Sequence, residues 1–105
     1  MDVLHSTLDL LILEVLADGP LHGWAISHRI RELSKDALQV NQGSLYPPLH
    51  RLEEEGVLRT EWTRSDTQRR VKLYHLTAPG ERRLAHERDA WRRYTRAIDL
   101  IVATR

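Results

Sequence analysis

A chain of 105 residues, 41% hydrophobic and 30% charged, holds a single globular domain and leaves no room for a barrel or a two-lobed nucleotide enzyme. The absence of cysteine removes disulfide scaffolds, thiolate zinc sites and cysteine nucleophiles, and no apolar run approaches the roughly 20 residues of a membrane-spanning helix. The net charge of +1 hides a segregation: residues 1–60 carry 5 Lys and Arg against 9 Asp and Glu, whereas residues 61–105 carry 11 against 6.

In chain order, Ser6-Thr7-Leu8-Asp9 opens a first helix that Asp18-Gly19-Pro20 closes. Its stripe is Leu8, Leu11, Ile12, Val15 and Leu16, while Leu4, Leu10 and Leu13 form a second apolar face that needs its own cover. A second helix is expected over 21–33, capped by His22 beside Gly23, with Ile26, Ile30 and Leu33 facing inward. An extended link over 37–40 leads to Asn41, the cap of a third helix that ends at Glu55-Gly56 and buries Leu45, Leu49 and Leu52. Pro47 and Pro48 predict an irregular first turn over 41–46, with the regular helix restarting at Ser44, because proline is cheapest where no helical N–H is needed.

Two strands follow, 57–63 and 71–76, joined by a polar loop over 64–70. Such a hairpin is unstable alone and must pack on the helices. From Thr77, with Pro79 in the first turn, nothing breaks a last helix through Thr104. At 27 residues it would run ~40 Å and project beyond a compact body of this size. Leu84, Trp91 and Ile98 fall at seven-residue steps, flanked by Tyr94 and Val102.

Mainly α with a small β-hairpin, three helices and then a basic-tipped hairpin make a winged helix-turn-helix over 1–76, with a C-terminal dimerisation helix over 77–105. The third helix fits a major groove about 12 Å wide. Asn41, Gln42, Ser44, Tyr46, His50 and Arg51 lie off its apolar stripe; Asn and Gln suit adenine, Arg suits guanine, and hydroxyls suit phosphates. Asn41 serves equally as a plain cap. Arg64, Arg69, Arg70 and Lys72 on the wing are placed for phosphates or the adjacent minor groove.

A dimer interface is expected from Leu4, Leu10, Leu13, Leu84, Trp91, Tyr94, Ile98 and Val102, which pairs two recognition helices on a palindromic operator. Trp91 offers a stacking face to a flat, apolar effector, or serves as plain interface core.

The six histidines form no i, i+4 pair and no HExxH, so no metal and no cofactor are expected. Ser44 and His50, the nearest hydroxyl–imidazole pair, have no carboxylate to orient the imidazole, and no enzyme activity is expected. The opening MDVLHSTLDL has no basic stretch and does not read as a signal peptide; a bacterial or archaeal cytoplasm is the expected location. A protein–protein module that keeps the fold and has lost DNA binding is the alternative, suggested by the acidic balance of residues 1–60.

The stretches Leu21-His22-Gly23-Trp24, Gly43-Ser44-Leu45-Tyr46-Pro47, Arg51-Leu52-Glu53 with Gly56, and Arg69-Arg70 with Lys72, Tyr74, Leu76, Thr77 and Gly80 resemble the PadR family of transcriptional regulators, in its compact subfamily with a single C-terminal helix. The resemblance implies a dimeric winged-helix DNA-binding repressor, released by a small and often aromatic molecule. It places Ser44, Tyr46, Pro47, His50 and Arg51 on the recognition helix and Arg69, Arg70 and Lys72 on the wing. The sequence departs from the family pattern at Trp24, commonly Tyr, at Pro48, commonly a small helix former, and at Gln68, commonly Gly.

Overall fold

Helix α1 (His5–Leu16) lies across α2 (Gly23–Leu33) and α3 (Gln42–Glu54), and their apolar stripes close on one core. The computed structural model describes residues 5–104, with side chains from Thr7 onward. Ile12, Leu13, Ile26, Leu45, Leu49 and Leu52 are fully buried at the centre. Leu33, expected to face inward, is exposed at the end of α2. The chain leaves that helix through two left-handed residues, Lys35 at φ 53° and Asp36 at φ 67°, and Arg31 Nε donates to Asp36 Oδ1 at 3.1 Å across the turn.

The Asn41 side chain accepts from the Ser44 N–H at 2.8 Å and starts α3, as expected. The irregular first turn is absent: the helix is regular from Gln42 through both prolines. Pro47 and Pro48 withdraw the donors that would have met the carbonyls of Gly43 and Ser44. Gly43 is exposed and Ser44 half-exposed, so water can replace those donors without breaking the helix.

The wing strands are β2 (Leu58–Arg64) and β3 (Arg70–Leu76), paired from Leu58 with Leu76 to Arg64 with Arg70. A third strand was not foreseen: Leu21 and His22 form β1, antiparallel to β3, giving the order β1-β3-β2. Two residues are too few to show a period, so they read as the start of α2. The His22 side chain does cap that helix, its Nδ1 accepting from the Ala25 N–H at 3.4 Å.

Helix α4 (Ala78–Ala103) starts where Thr77 Oγ1 accepts from the Gly80 N–H at 3.0 Å. Its 26 residues span about 39 Å in a molecule 55 × 29 × 22 Å. The first half packs on α1, and the second half leaves the body. This docking corrects two interface expectations. Leu13 is fully enclosed and Leu84 is buried, both within the chain's own core, to which α1 and α4 each contribute. Leu10 remains half-buried, whereas Trp91, Tyr94, Ile98 and Val102 are exposed. Leu4 lies outside the described residues.

Candidate nucleic-acid interface

Cross-strand partners share a face, so the register puts Leu58, Thr60, Trp62 and Arg64 on one side of the wing with Leu76, Tyr74, Lys72 and Arg70. The inner end of that face, Leu58 and Tyr74, is buried in the core. Midway it meets α3 at Glu53, whose carboxylate accepts from Thr60 Oγ1 at 2.7 Å and Lys72 Nζ at 3.1 Å. The Thr60 hydrogen bond, followed by the Lys72 ammonium, holds the Glu53 carboxyl below the ordinary carboxylate range. This clasp fixes the angle between the wing and α3. Beyond it the face continues into solvent, carrying Trp62, Arg70 and Arg64.

The structure divides the expected DNA-contacting residues into two groups. Tyr46, Pro47 and His50 are exposed on α3, Ser44 is half-exposed, and Asn41 is an exposed cap. His50 Nε2 lies 2.6 Å from Glu54 Oε1 on the same outward side. Arg64, Arg69 and Arg70 are exposed around the wing tip, and none has a carboxylate partner among the described residues. Arg64 Nη1 donates to the Gln68 carbonyl at 3.2 Å and braces the tip, while the Arg70 guanidinium sits 4.8 Å over the Trp62 ring.

Three others are held by partners. Gln42 turns toward α2, its Nε2 donating to Ser27 Oγ at 2.7 Å. Arg51 donates to Asp9 of α1 at 2.6 Å and to Glu55 at 3.2 Å, and the Asp9 hydrogen bond pushes its pKa further up. Lys72 is neutralised by Glu53. Of the expected contact residues, the cations without a carboxylate partner among the described residues therefore lie at the wing tip, not along α3.

A second feature lies between α1 and α4. Thr7 and Leu10 of α1 and Glu87, Ala90, Trp91 and Tyr94 of α4 line an open cleft of about 450 Å³. The Trp91 and Tyr94 rings stand 6.4 Å apart, tilted by 44°. Among the described residues no group of three or more acids and histidines could hold a metal ion, and no helix is long and apolar enough to cross a membrane.

The defining pattern of the transcriptional regulator PadR-like family matches residues 12–86. The chain belongs to that family. It is similar to a transcriptional regulator of Mycobacterium tuberculosis, at 36% identity over 94 residues that cover 90% of this chain and 84% of the relative. A solved transcriptional regulator from Clostridium thermocellum is similar with a TM-score of 0.84 and 25% identity, over 92% of this chain and 94% of that one. A PadR family transcriptional regulator from Eggerthella lenta gives 0.78 and 27%, over 94% and 84%. The family and these neighbours are transcriptional regulators, not enzymes, and the winged helix is their fold.

Against the PadR pattern, the three departures have distinct consequences. Gln68 takes the left-handed conformation at φ 63°, where the family's common glycine would sit without strain. Pro48 is half-buried and accommodated in α3. Trp24 is exposed and stacks on His28 at 5.0 Å between ring centres, 8° from parallel. Trp24 and Trp62 were not among the expected site residues. Strand alternation, which sets Trp62 on the side of Arg64, was the signal that could have found the second.

Proposed function

We propose that this PadR-like chain is a homodimeric, cytoplasmic DNA-binding repressor that recognises a palindromic operator and is released by a small aromatic or apolar effector. The observation that carries the reading is the wing: Arg64 and Arg70 extend the sheet face that α3 itself abuts, Arg69 stands in the loop beside them, and none of the three has a carboxylate partner among the described residues. With α3 in a major groove, Tyr46, Pro47, His50 and Ser44 meet the DNA, and Arg64, Arg69 and Arg70 reach phosphates or the neighbouring minor groove. Residues 1–76 form the DNA-binding unit and 77–105 the dimerisation helix. The cleft at Trp91 and Tyr94 is the effector site, where a planar ligand stacks on indole and phenol rings.

The test is a fluorescence-anisotropy titration with duplex DNA from upstream of the chain's own gene, against random duplex, at two salt concentrations. Binding that weakens steeply with salt and favours the upstream DNA is expected. No salt-dependent binding to either duplex would overturn the reading in favour of a protein-binding module.

A further inference from the structure

Three of the large exposed side chains, Trp24, Tyr46 and Trp62, come from α2, α3 and β2 and line one crevice of about 350 Å³ floored by Tyr74. Their exposures are 62%, 52% and 58%. Isolated exposed apolar residues are ordinary, but a convergence of aromatic rings from separate elements marks a contact surface. The rings are also held in place. Trp24 is backed by His28, and Trp62 by the Arg70 guanidinium. Tyr46 lies beside the backbone of Gly23, where even a Cβ atom would come within 3.4 Å of its ring.

The crevice has a charge as well as a shape. Lys72 on its wall is neutralised by Glu53, which leaves Arg70 as the uncompensated cation at its rim. Gly23 and Trp24, which also line it, stand at the amino end of α2, and that end of a helix favours an anion. The crevice lies between the outward face of α3 and the free end of the wing. If α3 occupies a major groove and the wing reaches the adjacent minor groove, the strand separating those grooves crosses it.

We propose that Trp24, Tyr46 and Trp62 form a cradle for the sugar–phosphate backbone of that strand. The apolar face of a deoxyribose packs on the indole rings, while the phosphate oxygens accept from Arg70 and the Tyr46 hydroxyl. The contact is independent of base sequence and fixes how deeply α3 sits in its groove. This deepens the proposed DNA-binding role and rests on it.

The chain has three tryptophans, so the test can report on each separately. Proteins retaining only Trp24, only Trp62 or only Trp91, with Phe at the other two positions, are titrated with duplex DNA while anisotropy of the labelled duplex is followed. The emission of Trp24 and of Trp62 should change and saturate together with the anisotropy, and that of Trp91 should not. Trp24→Ala and Trp62→Ala, each verified as folded by its melting transition, should weaken operator and random duplex alike by about 2- to 10-fold, the range expected for an aromatic contact. The salt slope should stay unchanged, because no charge is removed.

Normal anisotropy titrations with unmoved Trp24 and Trp62 emission would overturn the cradle and leave DNA binding standing. Absence of DNA binding in the wild type would overturn both. Saturable quenching of Trp24 and Trp62 by small aromatic compounds, with none by DNA, would overturn the proposal and assign the crevice to a ligand.

Discussion

At the residue scale, Gly80 is the position with the least freedom. A Cβ there would lie 2.2 Å from the Val57 carbonyl oxygen and 2.7 Å from Leu76 Cδ1. The first is backbone and cannot step aside, so α4 would have to lift from the start of the wing. Gly80→Ala should lose about 1–3 kcal/mol, which for a domain of this size lowers the melting temperature by several degrees per kcal/mol. A melt indistinguishable from wild type would mean that this close approach is not present. Gln68 carries the opposite case. Its left-handed backbone costs about 1–2 kcal/mol for a residue with a Cβ, so Gln68→Gly should raise the melting temperature modestly, against the entropy a glycine adds to the unfolded chain.

Arg51 separates two kinds of role. Its guanidinium joins Asp9 of α1 to Glu55, and Arg83 of α4 reaches the same two carboxylates at 3.4 and 3.6 Å. Arg51→Ala should therefore lower stability, by no more than about 1 kcal/mol for so exposed a pair, and leave the ratio of operator to random affinity where it was. A drop in that ratio with unchanged melting would restore Arg51 as a base contact. Positions facing away from a stripe are legible in a sequence. Whether a cation there is free is not, because the deciding partners lie 42 residues away for Arg51 and 19 for Lys72.

At the element scale, the wing divides into a clasped base and a free tip. Glu53 fixes the base, so the cations available for phosphate lie beyond it. Replacing Arg69 and Arg70 together by Ala should weaken binding to all duplexes alike and reduce the slope of log K against log salt by about 0.9 for each phosphate that is no longer neutralised. An unchanged slope in a folded double variant would remove the wing from the interface.

The α1–α4 junction is a second clasp. Arg88 donates through Nε and Nη2 to both oxygens of Glu14, at 2.7 and 2.6 Å. That hydrogen bonding holds the Glu14 carboxyl below its ordinary value of 4.5. A depressed carboxylate stabilises the fold above the unfolded-state pKa and loses that contribution as pH falls through the folded one. The melting temperature of the wild type should therefore fall more steeply below pH 4.5 than that of Glu14→Gln. The helices were readable from stripes and caps, since the Asn41, His22 and Thr77 caps stand where their residue types placed them. The α1–α4 docking was not. Seven-residue spacing in α4 suggested a partner along its whole length, whereas Leu84 belongs to the chain's own core and only the segment from Trp91 onward remains uncovered.

At the scale of the whole molecule, that uncovered segment is the surface on which the proposed dimer rests. Trp91, Tyr94, Ile98, Leu100, Ile101 and Val102 are exposed along the outer part of α4, and nothing among the described residues covers them. In the proposed homodimer a second copy would cover them, through the same surface on both chains, with Leu10 at its edge. Such a dimer would set two recognition helices about one DNA turn, ~34 Å, or a small multiple apart, and would call for a palindromic site. The core lies among residues 8–84 and the Glu14–Arg88 clasp precedes the uncovered segment. Removing residues 95–105 should therefore leave a folded monomer. It should hold a half-site through one recognition helix and forgo the gain from simultaneous engagement, about 10²–10⁴-fold on the full operator. Sedimentation of the truncated chain and anisotropy on full and half operators measure both consequences. A truncated chain that sediments as a dimer and binds the full operator with wild-type affinity would place the dimer interface elsewhere than on α4.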